Sequence, residues 1–509
     1  IAYIQDKGGD ENIHIYAVDI DGGNNIDLTP FDNIQARITD DLEDDPDFML
    51  VALNQRNPQI HDVYRLNVNS GDIEMIAENP GNISGWVTDN DGKLRLATTS
   101  DGVNTSILYR AKESDEFKPI LTTNFKETVA PLYFTFDNQE LYVASNRGRD
   151  KAAIFKFDLN TAKEGEMIFE NNEVDVYGLM RSKKRKKITG VSYTTDKRQM
   201  HFFDDWRESI QATLESKLKG VEVAISGFNK DETKAIVVTY SDKSRGTYYY
   251  YDITADELVK LAELSPWLDA NDMAEMQSIS YKSRDGLTIN GYLTLPTNYK
   301  KGDKLPIVVN PHGGPWARDN WGFDPQVQFL ANRGYGVLQM NFRGSVGYGR
   351  EFWEISFKQW GKTMQDDISD GVLWLIDEGI ADPDRIAIYG ASYGGYATLA
   401  GLTFTPELYA CGVDYVGVSN IFTLLETLPP YWELGRKMMY EMIGDPETEK
   451  DLLQAASPLF HVDKIKAPLF VAQGANDPRV KQAEADQIVE ALKSRNIDVP
   501  YMLKEDEGH

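Results

Sequence analysis

Two unlike units are expected along this chain: an all-β repeat of propeller blades over residues 1–270, then an α/β layered domain with a mostly parallel sheet over 271–509. Three observations predict them. Up to about residue 268, apolar and polar residues alternate in strand-length runs with little sustained helical spacing. Turn signals recur through that stretch at a period of roughly 46 residues, with alternate copies blurred. Past Met273, buried-looking strands alternate with helical stretches through short Gly-bearing connections.

The repeat is carried by two markers. Strand-following turns fall at Asp19–Gly23, Asn67–Gly71, Asp158–Ala162 and Asp252–Asp256, and hairpin turns at Thr88–Lys93, Thr135–Gln139 and Phe228–Thr233. A small sheet buries both faces only by stacking on its neighbours, so sets of four strands at this period read as blades. Five full blades are expected, at 32–78, 81–124, 127–171, 174–218 and 221–268, with a partial one before them. Ile1–Gln5 already reads as a strand, so the expectation is a sequence that starts inside a domain. The basic run Arg181–Lys187 sits where other repeats have their hairpin turn, and the acidic run Asp40–Asp47 reads as a charged loop. In the second unit, strands are expected at Leu305–Asn310, Gly336–Asn341, Arg385–Tyr389, Pro468–Ala472 and Val499–Leu503, with a helical stretch at Trp374–Gly379.

Composition narrows the functions. The 53 Lys and Arg against 80 Asp and Glu leave a net charge of −27, which repels nucleic acid and anionic membrane surfaces. The single cysteine, Cys411, excludes an internal disulfide and Cys-rich metal sites, and reads as a small buried hydrophobe. No apolar run approaches the ~20 residues of a membrane helix. Cytoplasmic and exported locations both stay open, cysteine poverty leaning towards export. Nothing calls for a metal or organic cofactor: P-loop, His-Glu-x-x-His and dinucleotide fingerprints are all missing.

The sharpest chemical signal is Gly390-Ala-Ser-Tyr-Gly394, between the strand Arg385–Tyr389 and a small-residue helical stretch. A serine on a tight strand-to-helix turn is strained, and flanking glycines remove the clashes that would forbid it. Its hydroxyl then stands at the carboxyl edge of the sheet, where it needs a base to become a nucleophile. The chain order serine, acid, histidine leaves His461 and His509 as the histidines that follow Ser392. His461 precedes the strand that would carry the acid, so His509 is the candidate base and Asp477, in Gly474-Ala-Asn-Asp-Pro478, the candidate acid. The loop His312-Gly-Gly-Pro315 is placed to supply one oxyanion donor, at Gly314, and the residue after the nucleophile supplies the other, at Tyr393. His312 then orients the loop.

These stretches, with Asn341-Phe-Arg-Gly-Ser-Val-Gly-Tyr-Gly349, Asn476-Asp-Pro-Arg-Val480 and Gly508-His509, resemble the prolyl oligopeptidase family of serine peptidases, nearest its acylaminoacyl-peptidase and dipeptidyl-peptidase-like branch. The resemblance implies an α/β-hydrolase domain under a β-propeller, usually seven-bladed, that admits short peptides. It supports Ser392, Asp477 and His509 as a triad. It adds Arg479 as an unpaired guanidinium for a substrate carbonyl, and Val480, Trp432, Ile421 and Phe422 as lining for the residue before the cut. It leaves room for homo-oligomers. The blade count and the stop at His509 depart from the family pattern and imply truncation at both ends. No Glu-Glu pair stands out in the propeller to hold a free amine, which weighs against dipeptidyl-peptidase action. An esterase or amidase on small acyl substrates is the alternative reading, and an inactive scaffold the remote one.

Overall fold

A computed structural model describes residues 1–509. Six antiparallel sheets follow one another as blades of a β-propeller up to Glu263, and an eight-stranded sheet begins at Met276. The first blade has three strands, within 2–27. Four-stranded blades cover 36–77, 83–124, 129–169 and 222–263. Apolar side chains from facing blades meet between them: Ile15 and Leu28 pack with Val51 and Leu66, and Leu96 with Phe134 and Phe157.

The blade expected at 174–218 differs. It has three strands, within 178–202, and then a helix, Asp205–Lys217, in place of the fourth strand. Asp204 starts the helix by accepting the Arg207 N–H at 3.0 Å. Trp206, Ile210 and Leu214, at helical spacing, then pack beside Val223 and Val237 of the next blade. A polar-rich sequence between these positions hides that spacing.

The basic run is a hairpin turn, and its charges are spent inside the propeller. Arg185 pairs with Asp204 at 2.5 Å and Glu232 at 2.7 Å, and Lys183 with Glu43 of the acidic loop at 2.6 Å. These turns ring a cavity of about 870 Å³ at the propeller face turned away from the second unit.

Numbered along the chain, the eight strands of the second sheet lie in the order 1-2-4-3-5-6-7-8. The first two pairings are antiparallel and the others parallel. This is the α/β-hydrolase order, and it puts the loops after Leu305–Val309, Ala381–Ala391 and Leu469–Gly474 at one carboxyl edge. The propeller covers that edge with the loops opposite its hairpin turns. Tyr292 donates its hydroxyl to Asp196 O at 2.6 Å, Lys151 donates to Tyr348 O at 2.8 Å, and Met276 N donates to Asp242 at 2.8 Å. No helix is long and apolar enough to cross a membrane.

Candidate active site

Strand Ala381–Ala391 ends at Ser392, whose φ of 59° and ψ of −120° turn the chain into the helix Tyr393–Phe404. Left-handed backbone at a serine costs about 1–3 kcal/mol and persists only where neighbours impose it. They do: Ser392 N donates to Tyr415 O at 3.0 Å, fixing the turn to the adjacent strand. The flanking glycines are steric necessities. A Cβ on Gly390 would stand 2.5 Å from the Gly394 carbonyl carbon, and one on Gly394 only 2.2 Å from Pro311 O. This close approach brings the loop after Pro311 against the turn, so that Gly314, Ser392 and Tyr393 line one small cavity. As the first residue of its helix, Tyr393 has no intrahelical acceptor for its N–H.

Asp477 is buried on the turn after strand Leu469–Gly474. Its Oδ1 accepts the N–H groups of Arg479 at 2.8 Å and Val480 at 2.9 Å, and its Oδ2 lies 2.6 Å from His509 Nδ1. Two backbone donors hold the carboxylate still and leave the second oxygen for the imidazole, which fixes the Nδ1–H tautomer of the neutral ring. His312 serves differently. It stacks on Phe342 at 4.3 Å, its Nε2 meets Ser345 Oγ at 2.9 Å, and burial lowers its pKa to about 4, so it stays neutral.

The cavity beside Ser392 is small, about 40 Å³, and apolar. Val480 and Trp432 line it, joined by Trp316, Trp360, Leu424 and Met439. Ile421 and Phe422 fall outside it. The short helix they begin turns Ile421 into the core and Phe422 towards Phe460, 6.2 Å away between ring centres. Arg479 lines the cavity but is not unpaired: its Nη2 meets Glu11 Oε1 at 2.6 Å. Tyr431 donates its hydroxyl to the other Glu11 oxygen, and burial together with Glu11 raises the phenol's pKa, which keeps it a donor. Glu11 comes from a propeller loop, so one carboxylate of the first unit reaches the mouth of the site.

Asp414 lies behind the serine turn, with its strand residue paired to Gly390. Its carboxyl is fully buried, and neither oxygen has a hydrogen-bond partner of good geometry. Burial raises its pKa to about 7, with the nearby Gly417 N–H offsetting part of the rise. Between pH 4 and 7 the folded chain therefore keeps a proton that the unfolded chain has lost, so stability falls as pH rises through that window. Asp414→Asn is expected to flatten this slope and to raise Tm at pH 8, as measured by Tm against pH for both proteins.

A dipeptidyl aminopeptidase BIII from Pseudoxanthomonas mexicana is 39% identical over 525 residues, covering 100% of this chain and 75% of that protein. The chain belongs to the prolyl oligopeptidase family. That family's model matches residues 321–509 directly. A Caenorhabditis elegans dipeptidyl peptidase family member 6 is 31% identical over 555 residues, covering 100% of this chain and 74% of that protein. Among solved structures, a puromycin hydrolase superposes with a TM-score of 0.79 at 19% identity, covering 98% of this chain and 79% of that one. A Mycobacterium tuberculosis puromycin-hydrolyzing peptidase does so at 0.77 and 20%, covering 100% and 81%. Those two likenesses speak for the fold. The protein is thus a serine peptidase of this family, acting on peptides beneath a propeller.

Proposed function

We propose that this peptidase releases dipeptides from free amino termini, and the observation that carries the reading is Glu11 at the mouth of the site. A substrate ammonium placed on Glu11 takes the carboxylate from Arg479 and frees the guanidinium for the adjacent peptide carbonyl. The second residue then fills the apolar cavity, and its carbonyl lies at Ser392. Ser392 attacks, His509 takes the serine proton and passes it to the leaving amine, and Asp477 holds the imidazole in register. The N–H groups of Gly314 and Tyr393 receive the oxyanion. Water, activated by His509, releases the acyl group. A single propeller glutamate does here what the sequence offers no Glu-Glu pair to do.

The same reading assigns residues 1–270 to the propeller domain and 271–509 to the peptidase domain, and gives the whole protein seven blades. It takes short peptides as the partners, a homo-oligomer as the quaternary state, and no nucleic acid, in keeping with a net charge of −27.

The test is a matched pair of dipeptide amides, one with a free amine and one N-acetylated. Wild type is expected to prefer the free amine. Glu11→Gln should lower kcat/KM for it by about 10- to 100-fold, the worth of one charge-assisted hydrogen bond, and leave the acetylated substrate unchanged. Equal cleavage of both substrates by wild type would refute the dipeptidyl mode, and faster cleavage of the acetylated one would assign the acylaminoacyl mode instead.

A further inference from the structure

We infer that Gly9, on a propeller loop, is a positioning residue for His509 of the peptidase domain. The inference rests on His509 being the general base. His509 follows the turn 504–508, which is exposed except at Gly508. Gly508 is buried because its backbone is clamped on both sides by other glycines. On the sheet side, a Cβ on Gly474 would stand 2.1 Å from Gly508 O. On the propeller side, a Cβ on Gly9 would stand 2.3 Å from Gly508 N, and one on Gly508 would stand 1.9 Å from Gly9 O. Three glycine backbones are thus stacked with no room for a methyl group, and the middle one carries the next residue, His509.

One side chain ties the same parts together. Asn476 Nδ2 donates to Gly8 O at 3.1 Å and to Glu505 O at 3.2 Å, so it joins the propeller loop to the turn before His509. Asn476 N also donates to Glu507 O at 3.0 Å. The sheet fixes one side of the turn through Ala475 N and Lys504 O at 2.9 Å. On the other side the turn meets the propeller loop at Gly9. That loop runs on, two residues later, to Glu11.

A methyl at Gly9 meets Gly508 well inside the ~3.5 Å of ordinary contact, so the turn must move by about 1 Å. Displacement of a catalytic group by that distance lowers the rate on the order of 10²-fold. The experiment compares Gly9→Ala with Gly22→Ala, since Gly22 has the same left-handed backbone (φ +84° against +72°) but nothing within 4 Å. Gly9→Ala is expected to slow fluorophosphonate labelling of Ser392 about 100-fold. It should lower kcat alike for peptide and ester substrates while KM stays within about twofold and Tm holds. Gly22→Ala should leave all of these at wild-type values. Asn476→Ala should slow labelling about 5- to 10-fold.

Labelling of Gly9→Ala at the wild-type rate would overturn the inference. If Gly9→Ala fails to fold, Asn476→Ala decides, and wild-type labelling of that variant overturns it too. His509→Ala separates the premise: a variant that still labels at full rate refutes His509 as the base, and not the contact.

Discussion

Ser392→Ala is expected to lower kcat about 10⁶-fold, His509→Ala by the same order, and the double variant no further than either alone. In the proposed mechanism Ser392 and His509 share one act, the transfer of a proton as the carbon–oxygen bond forms, so removing either removes the whole act. Asp477 contributes through His509, and Asp477→Asn is expected to cost about 10⁴-fold. Asparagine keeps an oxygen for the N–H groups of Arg479 and Val480, at 2.8 and 2.9 Å, so the turn survives. Its amide then faces His509 Nδ1 with a donor and favours the wrong tautomer. KM should change little in all four proteins, because the cavity walls come from other residues. Steady-state kinetics on a free-amine dipeptide amide checks the set. A double variant far below both single ones would mean that serine and histidine act independently.

The parts of the site legible in the sequence are those whose chemistry constrains the local chain. Ser392 sits on a strained turn that tolerates only glycine at Gly390 and Gly394, so the constraint is written within five residues. Asp477 and His509 follow from chain order along a parallel sheet, which fixes which loops share an edge. Glu11 is different. It meets Tyr431 across a sequence separation of 420 residues, and nothing about a glutamate in a polar loop announces that encounter. The neutralised Arg479 escapes for the same reason. Leu424 and Met439 reach the cavity from the helices Ile421–Glu426 and Arg436–Ile443, and Trp360 from the turn before Thr363, encounters that spacing alone does not reveal, while Ile421 turns into the core and Phe422 towards Phe460. In the propeller, the repeat predicts the sheets, but the helix Asp205–Lys217 replaces a strand where Asp204 caps a run of helical spacing. Local order is legible where the backbone is strained or repeated. Encounters between distant segments are not.

Asp367→Ala is expected to destabilise the peptidase domain by about 3–5 kcal/mol, because it leaves the buried Arg343 guanidinium with only the half-exposed Asp285, 2.8 Å from its Nη2, as counter-charge. Asp367 is fully buried, and Arg343 nearly so. Asp367 accepts Arg343 N at 2.9 Å, Nε at 2.8 Å and Nη2 at 2.7 Å, which ties the loop after strand Gly336–Asn341 to the helix Thr363–Asp377. Burial pushes the Asp367 carboxyl up in pKa against the pull of Arg343, so desolvation weighs heavily even in the intact pair. For a domain of this size the loss is a fall in Tm of about 6 to 20 °C. Breaking the exposed pair Lys260–Glu263 should leave Tm nearly unchanged, since water screens it. The double variant Asp367→Leu with Arg343→Met should recover much of the loss, because two matched apolar groups need no counter-charge. Activity should not recover with it. The Arg343 loop also carries Phe342, stacked on His312, and Ser345, whose Oγ meets His312 Nε2 at 2.9 Å, and His312 precedes the glycines beside Ser392. Recovered Tm with kcat still depressed would show that the ion pair holds the His312 loop in place. Recovery of both would show that packing alone does so.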